Sequence, residues 1–179
     1  MVFMVQIHDK TFEPYLQQED IQNIIHRLAK EMNVLKNENP LFIIILKGAF
    51  LFASDLLKAL SFDAEITFMQ IKSYEGTQSS GEIRDIMGVP MNLKDRTIVI
   101  VEDIVDTGNT LEYLHNRLSN ENPKKINIAS LLLKPDVYSK EIPIDFVGKE
   151  IPNNFVVGYG LDYEELGRTL PQIYKLKNS

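Results

Sequence analysis

Thr97-Ile98-Val99-Ile100-Val101-Glu102-Asp103-Ile104-Val105-Asp106-Thr107-Gly108-Asn109-Thr110 is the stretch on which the fold turns. Its opening run, apolar after the first threonine, reads as a buried strand from Thr97 to Val101 that ends in two carboxylates, Glu102 and Asp103. A third acid, Asp106, precedes a Thr-Gly-Asn-Thr turn that opens a helix from about Asn109 to Leu118. A strand passing through a tight turn into a helix aims unpaired backbone N–H groups at one point, which suits a monophosphate. The acids just upstream suit sugar hydroxyls and hydrated Mg²⁺, which takes one or two carboxylates together with water or substrate oxygens. The Gly-x-x-x-x-Gly-Lys-Ser/Thr spacing of a triphosphate-binding loop is missing and no lysine stands beside the turn, so triphosphate hydrolysis is disfavoured.

The same alternation extends in both directions. Ile21, Ile24, Ile25, Leu28, Ala29 and Met32 fall at helical spacing, with Asp20 as the expected N-cap, and Asn33 to Pro40 breaks the helix. Leu41 to Leu46 is too short for a helix and unbroken in its apolarity, as a parallel strand covered on both faces would be. A helix from Ala49 to Leu60 and a strand within Ala64 to Lys72 follow. Ser73 to Met87, polar and rich in Gly and Ser, reads as a lid. Beyond the opening stretch come a strand from Ile126 to Leu133 and short apolar pieces at Ile144 to Val147 and Phe155 to Val157. The expected fold is α/β, a doubly wound and mostly parallel sheet flanked by helices, with residues 1–179 forming a single domain.

Three strands point chemistry at one rim. Lys47, the cluster from Glu102 to Thr110, and Lys134 each follow the carboxyl end of an expected parallel strand, where open α/β sheets put their ligands. One lysine after a strand is ordinarily a solvated loop residue; three such positions together indicate a site.

Composition narrows the function classes. The 179 residues carry a net charge of −6, which argues against a nucleic-acid-binding surface, since such surfaces gather Lys and Arg to displace counterions. The absence of cysteine fits a reducing, cytoplasmic setting. The run Met1 to Met4 is too short for a signal peptide, and the longest apolar run, Leu41 to Leu46, is too short to span a bilayer. His8, His26 and His115 are scattered without metal-ligand spacing, and no Ser/His/acid constellation supports covalent catalysis.

The acidic stretch closely resembles the phosphoribosyl pyrophosphate-binding signature of the type I phosphoribosyltransferases, and within them the hypoxanthine-guanine phosphoribosyltransferases. Leu46-Lys47-Gly48, Lys72-Ser73-Tyr74, Leu133-Lys134, Phe155-Val156-Val157-Gly158-Tyr159, Leu161-Asp162-Tyr163 and Arg168 match that family in the same order, across nearly the whole chain. The resemblance implies that the terminal segments form a small hood lobe. It implies an Mg²⁺-dependent enzyme joining phosphoribosyl pyrophosphate to 6-oxopurines in an assembly of two or four copies, with neither nucleic acid nor membrane as partner. Glu102 and Asp103 would hold the ribose hydroxyls directly or through Mg²⁺, Asp106 would sit by N7 of the purine, and Thr107, Gly108, Asn109 and Thr110 would wrap the 5′-phosphate. Many relatives have Lys where Asn109 stands, which removes a charge contact and keeps the backbone donors. Lys47 and Gly48 lie in the pyrophosphate loop, whose Leu46–Lys47 peptide is often cis in the family, and Arg168 grips pyrophosphate. Lys134 would face the exocyclic atom at purine position 6, Phe155 would stack on the ring, Val156 would offer its backbone to the base edge, and Asp162 would bind a second Mg²⁺. Ser73 and Tyr74 would close over the reacting centre.

Two alternatives stand beside this reading. A regulator of RNA or DNA built on the same fold would need a basic face or an added DNA-binding domain, and the chain has neither. A sister enzyme using xanthine is disfavoured by Phe155 in place of a tryptophan.

Overall fold

Leu41-Phe42-Ile43-Ile44-Ile45-Leu46 is an inner strand of a six-stranded sheet, buried from Leu41 to Ile45 as its apolar run requires and partly buried at Leu46. The computed structural model describes residues 4–73, 83–87 and 92–177. In chain order the elements are β1 (Val5–Ile7), β2 (Lys10–Leu16), α1 (Gln18–Glu31) continued by a 3₁₀ turn (Met32–Leu35), β3 (Leu41–Leu46), α2 (Phe50–Ala59), β4 (Glu65–Ser73), β5 (Ile83–Met87), β6 (Thr97–Val105), α3 (Asn109–Ser119), β7 (Lys125–Leu133), β8 (Phe146–Glu150), β9 (Val156–Val157) and β10 (Ile173–Leu176).

The large sheet runs β5-β4-β3-β6-β7-β8, parallel except for β5, which pairs antiparallel with β4 at the edge. One face carries Phe42, Ile44, Val99 and Val101 against Ile25 and Leu28 of α1 and Phe52 and Leu56 of α2. The other carries Ile43, Ile100 and Ile128 against Leu111, Leu114 and Leu118 of α3. Helices therefore cover both faces, and the expected doubly wound α/β class is what the chain adopts. The two ends of the chain meet in a second, antiparallel sheet, β1-β2-β10-β9, with Ile7, Phe12, Val157 and Tyr174 as its core. Pro14, within β2, pairs with Tyr174 beside a bulge that leaves Tyr15 as the extra residue, a place where a missing N–H is tolerated. No described helix is long and apolar enough to cross a membrane.

Several boundaries differ from the sequence reading. β6 does not end at Val101 but runs to Val105, because pairing with β7 continues through Glu102↔Ser130, Ile104↔Leu132 and Val105↔Leu133. The helix after Leu16 is capped at Gln17; Asp20 lies at the third helical position and accepts from the Gln17 N–H at 2.9 Å. The α-helix ends at Glu31, capped at Met32, close to the break expected at Asn33, and a 3₁₀ turn that buries Met32 and Leu35 follows it. β8 begins at Phe146 rather than Ile144. The segment proposed as a lid is in part regular structure: Ser73 closes β4 and Ile83–Met87 forms β5, while Tyr74 lies outside the described residues.

Asp55 ties these layers together. Its carboxylate accepts from the Tyr159 hydroxyl at 2.6 Å and the Gln22 amide at 3.1 Å and pairs with Lys58 at 2.6 Å, joining α1, α2 and the segment after β9. Burial pushes the carboxyl upward, and Lys58, Tyr159 and Gln22 together more than reverse that, holding it below the usual carboxylate range. A carboxyl depressed in the folded state contributes stability above its unfolded value, near 3.9, and loses it as pH falls through the folded value. Asp55→Asn is therefore expected to cost about 1.5–3 kcal/mol at pH 7 and progressively less in urea melts below about pH 4. A deficit that persists undiminished at pH 3 would show that the ionised carboxylate is not its source.

Candidate active site

Two chain ends emerge side by side because β6 and β7 are in register. Val105 and Leu133 are partners, and the Lys134 N–H donates to the Val105 carbonyl at 3.0 Å, so Asp106 and Lys134 leave the sheet together. Lys134, only 6% exposed, donates from Nζ to Asp106 Oδ2 at 2.6 Å and to Asn153 Oδ1 at 3.2 Å. Asp106, half-exposed, faces the open side of the site. The sequence reading gave these two residues separate roles; the fold makes them an ion pair. Asn153, in the turn between β8 and β9, was missed, and a lone asparagine carries no local signal for a partner 19 residues away.

One strand-length back, Glu102 and Asp103 lie within β6, not beyond it. Glu102 is buried, and its carboxyl is pushed well above the ordinary range, first by desolvation and then by the neighbouring Asp103 charge. Asp103 is pushed up to about 6 by desolvation, opposed by hydrogen bonds from its own N–H and that of Ile104 and by the Arg168 charge. Its carboxylate lies against the backbone at Gly48, so a Cβ there would fall on Asp103 Oδ2. This close approach places the β3–α2 loop directly over the acids. The Leu46–Lys47 peptide at its start is cis.

Beyond Asp106 the chain turns through Thr107 and Gly108 into α3. Gly108 is the N-cap, at φ +85°, a left-handed conformation that glycine adopts without a Cβ penalty, and its carbonyl accepts from the Glu112 N–H at 2.8 Å. Around the N–H groups at this turn lies an open pocket of about 100 Å³, bordered by Glu102 and by Ile104 to Leu111, including Asn109 and Thr110. Among the described residues no lysine or arginine is part of its lining. Lys140, which sequence reasoning missed, lays its stem over Gly108 and pairs with Glu112 at 2.7 Å.

Opposite the acids, the loop after β9 supplies the second cation. Arg168 pairs with Asp162 Oδ1 at 2.8 Å and donates from Nη1 to the Gly160 carbonyl at 2.9 Å. Asp162 Oδ2 accepts from the Glu165 N–H at 2.8 Å, so both of its oxygens are engaged within the loop rather than open to a metal. Lys47 pairs with Glu165, a residue not singled out from the sequence, at 2.9 Å. Among the described residues no three His, Asp or Glu side chains converge into a full metal-ligand set. That leaves Glu102 and Asp103, the number of carboxylates Mg²⁺ commonly takes from a protein when substrate oxygens complete its shell.

Phe155 is 45% exposed rather than core, and its ring meets Tyr163 edge-on at 5.7 Å with buried Phe12 behind it. Because the Leu176 N–H donates to the Phe155 carbonyl, Phe155 and Leu176 are a hydrogen-bonded pair and Val156↔Lys175 is a wide one. The Val156 backbone groups therefore turn away from β10, toward the free edge of the sheet.

Comparison with known proteins gives the site its relatives. A family model described as the phosphoribosyl transferase domain matches residues 13–164. The hypoxanthine-guanine phosphoribosyltransferase of Staphylococcus aureus (strain Mu50 / ATCC 700699) is 40% identical over 173 residues, 96% of this chain and 97% of its own. That of Aquifex aeolicus (strain VF5) is 36% identical over 178 residues, 98% of this chain and 100% of its own. Among solved structures, a hypoxanthine phosphoribosyltransferase from Staphylococcus aureus superposes with a TM-score of 0.86 at 40% identity, covering 92% of this chain and 91% of that one. The Trypanosoma cruzi hypoxanthine phosphoribosyl transferase reaches 0.86 at 30% identity, covering 97% and 95%.

Gly48→Ala adds one methyl group where the Asp103 carboxylate lies, at a position with no left-handed φ to strain. It is expected to melt within about 4 °C of wild type while binding phosphoribosyl pyrophosphate roughly tenfold more weakly or worse, measured by calorimetry. Unchanged affinity would separate the Gly48–Asp103 contact from ligand binding.

Proposed function

The chain belongs to the phosphoribosyltransferase family, and from that premise we propose that it transfers the 5-phosphoribosyl group of phosphoribosyl pyrophosphate to hypoxanthine and guanine, releasing pyrophosphate and giving the purine ribonucleoside monophosphates IMP and GMP. The observation that carries this reading is the buried Lys134 ammonium beside Asp106, next to a pocket of free backbone donors. Lysine is donor-only, so Lys134 suits a purine carrying a carbonyl oxygen at position 6. With one proton on Asp106 and one on Asn153, a third is left for that oxygen.

In this reading the α3 N-terminus from Thr107 to Thr110 holds the 5′-phosphate with backbone N–H groups and the positive end of the helix. Glu102 and Asp103 take the ribose hydroxyls. The same two carboxylates would hold hydrated Mg²⁺, which when bound supplies charge neutralisation for the pyrophosphate; their desolvation favours a cation beside them. Asp162 is a weaker candidate ligand because its oxygens serve Arg168 and Glu165. Phe155, propped edge-on by Tyr163, gives a flat platform for the purine, and the outward Val156 backbone offers hydrogen-bond partners to its edge.

Asp106 then faces N7 of the base and accepts or shares its proton as the new glycosidic bond forms. The anomeric carbon passes through an oxocarbenium-like state, as at other glycosidic centres. Catalysis consists of holding base and sugar in line, meeting the leaving pyrophosphate with Arg168 and Lys47, and excluding water, the competing nucleophile. Ser73 and Tyr74, at and beyond the end of β4, are assigned to that exclusion. The cysteine-free composition accords with a cytoplasmic enzyme, and we expect two or four copies to assemble.

A pyrophosphate-release assay over hypoxanthine, guanine, xanthine and adenine tests the assignment. Adenine presents an amino group donor to donor with Lys134, leaving a buried charge unpaired at about 1–3 kcal/mol or more, so it should be slower by roughly two orders of magnitude. Lys134→Ala should cut kcat/KM for hypoxanthine and narrow its advantage over adenine. Wild-type turnover of adenine at the hypoxanthine rate would overturn the 6-oxopurine assignment. Asp106→Asn is expected to fold normally and lose roughly 10²–10⁴ in turnover; a kcat within a few-fold of wild type would remove Asp106 as the base.

A further inference from the structure

The two cations assigned to pyrophosphate share one neighbour: Glu165 pairs with Lys47 and also lies within reach of Arg168, whose shorter pair is with Asp162. Lys47 Nζ donates to its two oxygens at 3.1 and 2.9 Å, the chelating arrangement a phosphate would present. Arg168 Nη2 lies 3.6 Å from Glu165 Oε2, and Arg168 Nε is buried with no hydrogen-bond partner among the described residues.

The backbone at this point is unusual for the residues it carries. Tyr163 and Leu166 exchange N–H···O bonds of 2.9 and 3.1 Å, enclosing a two-residue turn whose central residues, Glu164 and Glu165, sit at φ +49° and +69°. Turns with positive φ at both central positions favour Asn and Gly, and glutamate has no backbone reason to be there. Asp162 holds the turn in place through the Glu165 N–H at 2.8 Å. A disfavoured residue locked into a strained turn beside a site points to its side chain as the reason. The two glutamates also differ: Glu164 faces His8, at 3.9 Å, and Glu165 faces the cations.

We propose that Glu165 is an internal counter-anion that occupies the pyrophosphate position of Lys47 and Arg168 until pyrophosphate displaces it, and that it thereby weakens the enzyme's hold on pyrophosphate and hastens its release. The proposal rests on the reading of Lys47 and Arg168 as pyrophosphate ligands. It is an exchange of ion pairs with no covalent step. Both partners of the Lys47–Glu165 pair are largely exposed, at 51% and 68%, so a displaced Glu165 returns to water at small cost and acts as a competitor rather than a lock.

Titration calorimetry with inorganic pyrophosphate and Mg²⁺ tests this on the full chain. Glu165→Gln should tighten pyrophosphate by roughly three- to tenfold at low ionic strength, with the gain shrinking in about 0.5 M salt. Glu165→Asn, which suits positive φ, should tighten it likewise and guards against a fold defect in the glutamine variant. Glu164→Gln removes the same charge from the same turn and should change affinity less than about twofold. Pyrophosphate affinity unaffected by Arg168→Ala would overturn the underlying assignment of the cations. Affinity lowered by Arg168→Ala but unchanged or weakened by both Glu165 variants would overturn the counter-anion role alone, as would equal tightening by Glu164→Gln.

Discussion

Everything at the site depends on the in-register parallel pairing of β6 with β7. Thr97↔Lys125 through Val105↔Leu133 is one unshifted ladder, and the buried side chains of both strands pack alternately against α1 and α2 on one face and α3 on the other. A slip of one residue would turn each of those side chains to the opposite layer, so the core fixes the register. The polar ends inherit it. Asp106 and Lys134 meet because Val105 and Leu133 meet, and Glu102 is desolvated because the ladder carries it past Ser130, itself buried and bonded to the Leu132 carbonyl at 2.6 Å. Core packing thus sets the unfavourable environment of the acids, which no local preference of glutamate or aspartate would choose.

The sequence was legible where burial was complete. β3 and the first half of β6 are continuous apolar runs, and strands covered on both faces need no alternation to be recognised. The rim followed from them, since Lys47, Asp106 and Lys134 could be placed by strand ends alone. The end of β6 was misread because Glu102 and Asp103 break the apolar run while backbone pairing, which is indifferent to side chains, continues four residues further. The terminal sheet left less of a signature. β2 is Lys-Thr-Phe-Glu-Pro-Tyr-Leu, short, mixed and interrupted by proline, and it becomes a strand through β10, some 160 residues away in the chain. Partner choice was illegible for the same reason of distance. That Lys47 would find Glu165, or Lys140 find Glu112, depends on loops brought together by the completed fold.

The charges of the site are unevenly satisfied within the protein, and the unevenness bears on the kind of ligand that fits it. Its cations have partners: Lys134 has Asp106, Lys47 has Glu165, Arg168 has Asp162, and Lys140 has Glu112. Glu102 and Asp103 are the exceptions, both desolvated and held toward protonation, Asp103 at about 6. An anion arriving alone would have to displace carboxylates from each cation while facing two further acids. A divalent cation arriving alone would relieve those acids but find, among the described residues, no third His, Asp or Glu grouped with them to complete its shell. In the proposed function, a phosphosugar that brings its own divalent ion would meet both conditions at once, the ion going to the acids and the phosphate oxygens to the cations and to the backbone donors at the start of α3. On that reading the site would take the assembled metal–phosphosugar complex, and Gly48 matters to it because only a residue without a side chain lets the β3–α2 loop lie against Asp103.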